Sequence, residues 1–283
     1  MVLILYVFAV LAVLVPVVVT PLLARWARPS PAGPVGRVRR AAAALTDILG
    51  PGWAALVALL AGAAAVVAVC WPLGEALSRL EPVVDHPVFD YVHARRDADW
   101  ARLTGFVTAM GDRDPLKVVT VVAAVLLAVA WRRRWWIPVV ALPLQFVLEQ
   151  YTQQILKLVV DRGHPPTDLG SYPSGGCARV LMTFGTIALL ASWAFRIPRA
   201  GRVGLVTALA VLASVEAYTR IYAEKHWLTD VVGGLVFGWL LLGVLAGSLT
   251  ILAGRSAPPV VPDPDAPDPG VPARTAAAER APA

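Results

Sequence analysis

Apolar runs of about twenty residues with at most one charge constrain this chain more than any other feature, because a helix of that length spans the hydrocarbon core of a bilayer. Residues 2–24, 52–71, 135–156 and 231–253 are such runs. Residues 118–131 are shorter and extend backward through Pro115 and Lys117, and 180–195 and 203–219 complete a set of seven. The composition agrees: 58% of the 283 residues are hydrophobic and only 16% charged, against about 45–50% and about 25% in a soluble domain. The expected fold is therefore all-α, a polytopic membrane helix bundle with about seven transmembrane helices. The run at 2–24 lacks a basic start and ends in arginines, so it reads as a span and not as a cleavable signal peptide.

Seven spans place the connecting segments alternately on two sides. One side carries eleven arginines (Arg25, Arg28, Arg37, Arg39, Arg40, Arg132, Arg133, Arg134, Arg196, Arg199, Arg202) and one acid, Asp47. The other carries ten basic and twelve acidic residues. Arginines dense beside span ends mark the cytoplasmic side. The net charge of +6 is thus spread in short clusters between apolar runs, unlike the single basic face of a nucleic-acid binder. The expected organisation is an N-terminal transmembrane helix and basic cytoplasmic loop over 1–51, a six-span domain over 52–253, and a disordered Pro-rich cytoplasmic tail over 254–283. The tail holds eight prolines, a composition that buries no core. Residues 72–114 are expected to form short amphipathic helices over the outer ends of the spans. Cys70 and Cys177 read as two buried thiols, with a bridge between them the alternative.

Polar groups inside spans are costly and mark function by default. Gln145, Glu149, Gln153 and Lys157 recur every four residues and share one helical face, as do Glu216 and Arg220. Hydrogen bonding between helices accounts for Gln145 and Gln153. Three polar clusters fall on the outer side: Lys157 to Pro166, Ser171 to Gly176, and Thr219 to Asp230. They bring cations at Lys157, Arg162 and Arg220, a Ser-Gly-Gly turn opening a helix, and a His226–Asp230 pair one turn apart. Cations converging on helix N-terminal amides suit a phosphate group. A histidine held by a carboxylate is fixed in one tautomer and serves as nucleophile or base. His86 and His93, in a charged outer segment, read as solvated surface residues.

In these clusters the chain resembles the type 2 phosphatidic acid phosphatase family, membrane relatives of the vanadium haloperoxidases. The family pattern K-x6-R-P, P-S-G-H and S-R-x5-H-x3-D is met here by Lys157-x6-His164-Pro165, Pro173-Ser174-Gly175-Gly176 and Thr219-Arg220-x5-His226-x3-Asp230. The resemblance covers about residues 52–253, a six-helix phosphatase core plus one N-terminal helix. It implies that His226 attacks phosphorus to give a phosphohistidine and that Asp230 orients it. It also implies that Lys157, Arg220, Ser174 and the Gly175 amide hold the phosphoryl oxygens. Arg162, His164 and Gly176 join the phosphate-binding set by position. No metal and no cofactor are expected.

Two positions depart from the family. Its motif-one arginine is His164 here, with Arg162 nearby; His164 reads equally as a phosphate contact or a substitute acid. Its histidine that protonates the leaving oxygen is Gly176, and general acid catalysis contributes about 10²–10⁴-fold. The leading expectation is a membrane lipid phosphatase acting at the extracytoplasmic face of a bacterial-type plasma membrane, its partner a phosphorylated membrane lipid. The alternative is a catalytically impaired relative that binds lipid phosphate or a partner protein. A transporter ranks third, since no inverted repeat is visible. Without the acid, a lipid diphosphate such as polyprenyl diphosphate suits the chain better than phosphatidic acid. On that logic Gly176→His is expected to accelerate the monoester more than the diphosphate.

Overall fold

The computed structural model describes residues 34–167 and 170–254. Among these residues there are eight α-helices and no strand. We number them α1 (Pro34–Ser78), α2 (His86–His93), α3 (Ala98–Met110), α4 (Arg113–Ala130), α5 (Trp136–Val159), α6 (Gly175–Ala194), α7 (Arg199–Tyr222) and α8 (Leu228–Leu252). The chain is a polytopic helical membrane protein. Helices α1, α6, α7 and α8 are long and apolar enough to cross a membrane. Helix α4 has 18 residues and α5 has 24, about 27 and 36 Å at 1.5 Å per residue, and they pack against each other and against α6. The expected first span and the Pro-rich tail lie outside the described residues.

Several boundaries differ from the sequence expectation. The basic segment before the second span is helical from Pro34, and a break separates it from the span at Gly50, whose φ of 77° and ψ of 163° interrupt the helix. Glycine accepts that positive φ, and the proline that follows donates no hydrogen bond. Helix α1 then runs on through Pro72 to Ser78. Residues 72–114 do form short helices: a π-helical turn over Glu81–Asp85, then α2 and α3. Helix α6 begins at Gly175, so the Ser-Gly-Gly segment supplies its N-terminus.

Helices α6 and α8 form the centre. Leu181, Met182 and Leu190 of α6, with Phe237, Leu241 and Leu245 of α8, are fully buried. Gly234 and Gly238 face α6, and a Cβ at Gly238 would stand 3.0 Å from the Ala178 Cα. Small residues four apart permit this close approach of two membrane helices. Outward, Val118, Val121, Val122 and Val125 of α4 and Leu56 and Leu60 of α1 are exposed, an apolar surface suited to lipid. Cys70 and Cys177 are buried and free.

Successive long helices alternate in direction, which sorts the polar residues by end. One end gathers Arg132, Arg133 and Arg134 with Arg196, Arg199 and Arg202; there Arg134 Nη1 donates to the Ala253 carbonyl at 3.0 Å. The other end gathers the C-termini of α1, α5 and α7, the N-termini of α4, α6 and α8, and the short helices α2 and α3. Buried Tyr172 ties that end together, donating to the Cys70 carbonyl at 2.8 Å.

Candidate active site

The end without the arginine clusters holds the polar residues picked out in the sequence. His226 sits in the short link between α7 and α8, just before the helix whose first turn carries Asp230. The Ser174 amide donates to the Asp230 carbonyl at 3.0 Å, which pins the N-terminus of α6 to that of α8. Arg220 comes from the last turn of α7 and Lys157 from the last turn of α5.

His226 is buried, with Nδ1 3.6 Å from Asp230 Oδ2. That separation exceeds a hydrogen bond, but it places the carboxylate behind the ring. The same Oδ2 accepts the Trp227 amide at 3.2 Å. Burial holds the His226 pKa below its ordinary value; Asp230 pulls it up, and the charges of Arg220 and Lys157 push it further down. A neutral imidazole at physiological pH follows. Gly170 closes over it, since a Cβ there would lie 2.7 Å from both ring nitrogens. Lys157 is exposed and within electrostatic reach of Asp230 and Glu149.

Arg220 is firmly held. Its Nε donates to Glu216, and its Nη2 donates to the Thr108 carbonyl at 2.9 Å and to Asp112 Oδ1 at 2.7 Å. Glu216 is buried with it, which meets the cost of a carboxylate at that depth. Asp112 Oδ2 also pairs with Lys225 at 3.2 Å. The guanidinium lies against Gly176, where any Cβ would overlap Nε, Cζ and Nη2. Position 176 therefore has no room for a histidine while Arg220 keeps this pose. Gly176→His, expected from the sequence to supply an acid, therefore requires the Arg220 guanidinium to move.

Ser174 is fully buried, and Gly175 and Gly176 are buried beside it. His164 is exposed. Arg162 is not open to a ligand: Nε pairs with Glu81 at 3.2 Å, Nη2 with Asp85, and Nη1 lies 3.0 Å from Asp230 Oδ1. Gln145 Nε2 donates to Thr183 Oγ1 at 3.3 Å and Gln153 Nε2 to the Pro173 carbonyl at 3.1 Å, the inter-helix roles their spacing suggests. Three residues that the sequence did not single out join the cluster: Asp85, Asp112 and Arg179. Buried Arg179 pairs with Glu149 at 3.3 Å and donates to the Gly111 carbonyl at 3.3 Å. A cation in the first turns of an apolar helix is the one signal that could have drawn attention to it.

The family model described as PAP2 superfamily matches residues 139–250, from α5 into α8. Among solved structures, the chain is similar to the crystal structure of a transmembrane PAP2-type phosphatidylglycerolphosphate phosphatase from Bacillus subtilis. The TM-score is 0.57 at 20% identity, over 65% of this chain and 94% of that one. No curated protein gives a significant sequence match. The segment matched by the family model contains all three polar clusters and the four helices that carry them, and the structural similarity shows that the chain shares the fold of that transmembrane phosphatase.

Proposed function

We propose that this protein is an integral-membrane lipid phosphatase whose reaction begins with attack of His226 on phosphorus. The observation that carries the reading is a buried imidazole of lowered pKa with a carboxylate 3.6 Å behind Nδ1, at the bundle end shared with Lys157, Arg220 and the N-terminus of α6. Asp230 holds the Nδ1 side, leaving Nε2 to form the P–N bond as the P–O bond to the lipid breaks. Lys157, Arg220, Ser174 and the amides of Gly175 and Gly176 are the groups assigned to the phosphoryl oxygens. Water then cleaves the phosphohistidine and frees phosphate. The arginine-rich opposite end supports an extracytoplasmic site.

The substrate follows from the leaving group. A phosphate monoester expels an alkoxide, whose conjugate acid has a pKa of roughly 15, near that of water. A lipid diphosphate expels a phosphate monoester with a second pKa of about 6, which departs without a proton. The fixed cation of Arg220 against Gly176 favours an anionic leaving group and donates no proton, so a lipid diphosphate of the polyprenyl type is the substrate class assigned. A second reading, phosphate-lipid binding without turnover, is favoured by one observation: Arg220 is already bonded to Glu216 and Asp112.

The test is phosphate release by purified protein from a polyprenyl diphosphate, phosphatidic acid and phosphatidylglycerolphosphate, with His226→Ala as control. The proposal expects the diphosphate to turn over fastest and His226→Ala to be inactive. Faster hydrolysis of either monoester overturns the substrate assignment. Binding without release by the unaltered protein favours the second reading.

A further inference from the structure

Arg162 occupies a place that the phosphatase reading leaves unexplained. Its side chain is 1% exposed and meets three carboxylates from two parts of the chain. Glu81 and Asp85 come from the π-helical turn, and Asp230 from the first turn of α8. Asp85 is equally buried, and besides Arg162 it accepts the Thr229 amide at 2.9 Å and the Thr229 hydroxyl at 2.6 Å. Asp85 thus caps the N-terminus of α8 while it holds the arginine. With both partners removed from water, an unpaired charge would be costly, so neither is a casual surface contact.

The connection continues into the site, because Asp230 is the carboxylate behind His226 Nδ1. One of its oxygens faces Arg162 at 3.0 Å and the other faces His226 at 3.6 Å. We infer that Arg162, held by Asp85, is a positioning residue that sets the orientation and effective charge of Asp230, and through it the protonation of His226. This inference rests on His226 as the attacking group. It assigns Arg162 a role behind the nucleophile and not on the phosphate.

The sign can be worked out. The charged groups facing His226 are Asp230 from α8, Arg220 from α7 and Lys157 from α5. Asp230 is the one among them that favours the imidazolium. Arg162 offsets part of the Asp230 charge; removing it strengthens the pull of the carboxylate on the His226 proton. That raises the pKa of His226, and an opposite charge at 4–6 Å shifts a group by about one unit or more. The neutral nucleophile is then available only at higher pH.

The experiment titrates the imidazoles of the full-length protein by NMR in detergent. The chain has four histidines, so His226 is assigned by comparison with His226→Gln. Arg162→Gln is expected to raise the His226 pKa by about one unit. Arg162→Lys, which keeps the charge, should titrate near the unaltered protein, and Asp85→Asn serves if Arg162→Gln does not fold. In turnover, the acid limb of kcat/KM should move upward by the same amount, since that limb reports the free enzyme. An unmoved His226 titration in the folded variants overturns the inference, even where activity drops at all pH values. Retained activity in His226→Ala would overturn the phosphatase reading instead, and the NMR titration would still decide the role of Arg162.

Discussion

The guanidinium of Arg220 lies against the Cα of Gly176 and fills the volume a side chain at position 176 would need. Glu216, Asp112 and the Thr108 carbonyl hold it there. A glycine at position 176 and an arginine clamped by two carboxylates are thus two sides of one packing solution.

Gly176→Ala tests that relationship with the smallest possible side chain. It is expected to displace Arg220 and lower kcat/KM by 10-fold or more, on the order of 1.4 kcal/mol. Gly176→His should be impaired further and should not gain monoester turnover. Phosphate release across the three lipids measures both, and a Gly176→Ala enzyme with unchanged kinetics would show that Arg220 need not stay in place.

Asp112 spans Arg220 and Lys225 with its two oxygens, where an incoming phosphate would compete with it. Asp112→Asn should lower KM for the lipid several-fold, with a smaller effect on kcat. Burial alone would raise the Asp112 pKa, but Arg220 and Lys225 outweigh it and hold the pKa below 3.8. A depressed carboxylate pKa stabilises the fold above its unfolded value and loses that contribution as pH falls through the folded value. The difference in thermal midpoint between Asp112→Asn and the unaltered protein should therefore be present at pH 7 and shrink below about pH 4. With Asp112 half exposed, the difference should be small.

His226 shifts in the same direction as Asp112, but chiefly through burial. Its folded pKa lies below 6.5, so below about 6.5 the unfolded chain takes up a proton that the folded chain refuses. Stability contributed by this group is present above that pH and declines as pH falls toward the folded pKa. His226→Gln should flatten the corresponding slope of thermal midpoint against pH between about 5 and 7. A slope identical in the two proteins would place the imidazole in water and not in the buried site.

Gly234 packs on Ser174, where a Cβ would stand 3.0 Å from the Ser174 Cβ and closer still to its carbonyl oxygen. Gly234→Val is expected to cost about 1–3 kcal/mol from overpacking. It should also reduce activity, because Ser174 heads the helix assigned to phosphate. A thermal melt in detergent alongside phosphate release checks both.

Sequence alone determined those features that depend on composition and short spacing. Apolar runs of about twenty residues with at most one charge suit membrane-spanning helices, since a helix satisfies its backbone hydrogen bonds within a single segment in lipid. The Glu216–Arg220 contact follows from a four-residue step on one helix. The order Lys157, Ser174, Arg220, His226 and Asp230 carried the family resemblance. Tertiary structure alone decided what those residues touch. Asp112 and Arg220 are 108 positions apart and Asp85 and Arg162 are 77, separations at which no periodicity links two side chains. In the linear chain Arg162 looks like a spare phosphate ligand beside His164. Folding surrounds it with Glu81, Asp85 and Asp230, because a buried guanidinium with several donors is stable only where carboxylates converge on it.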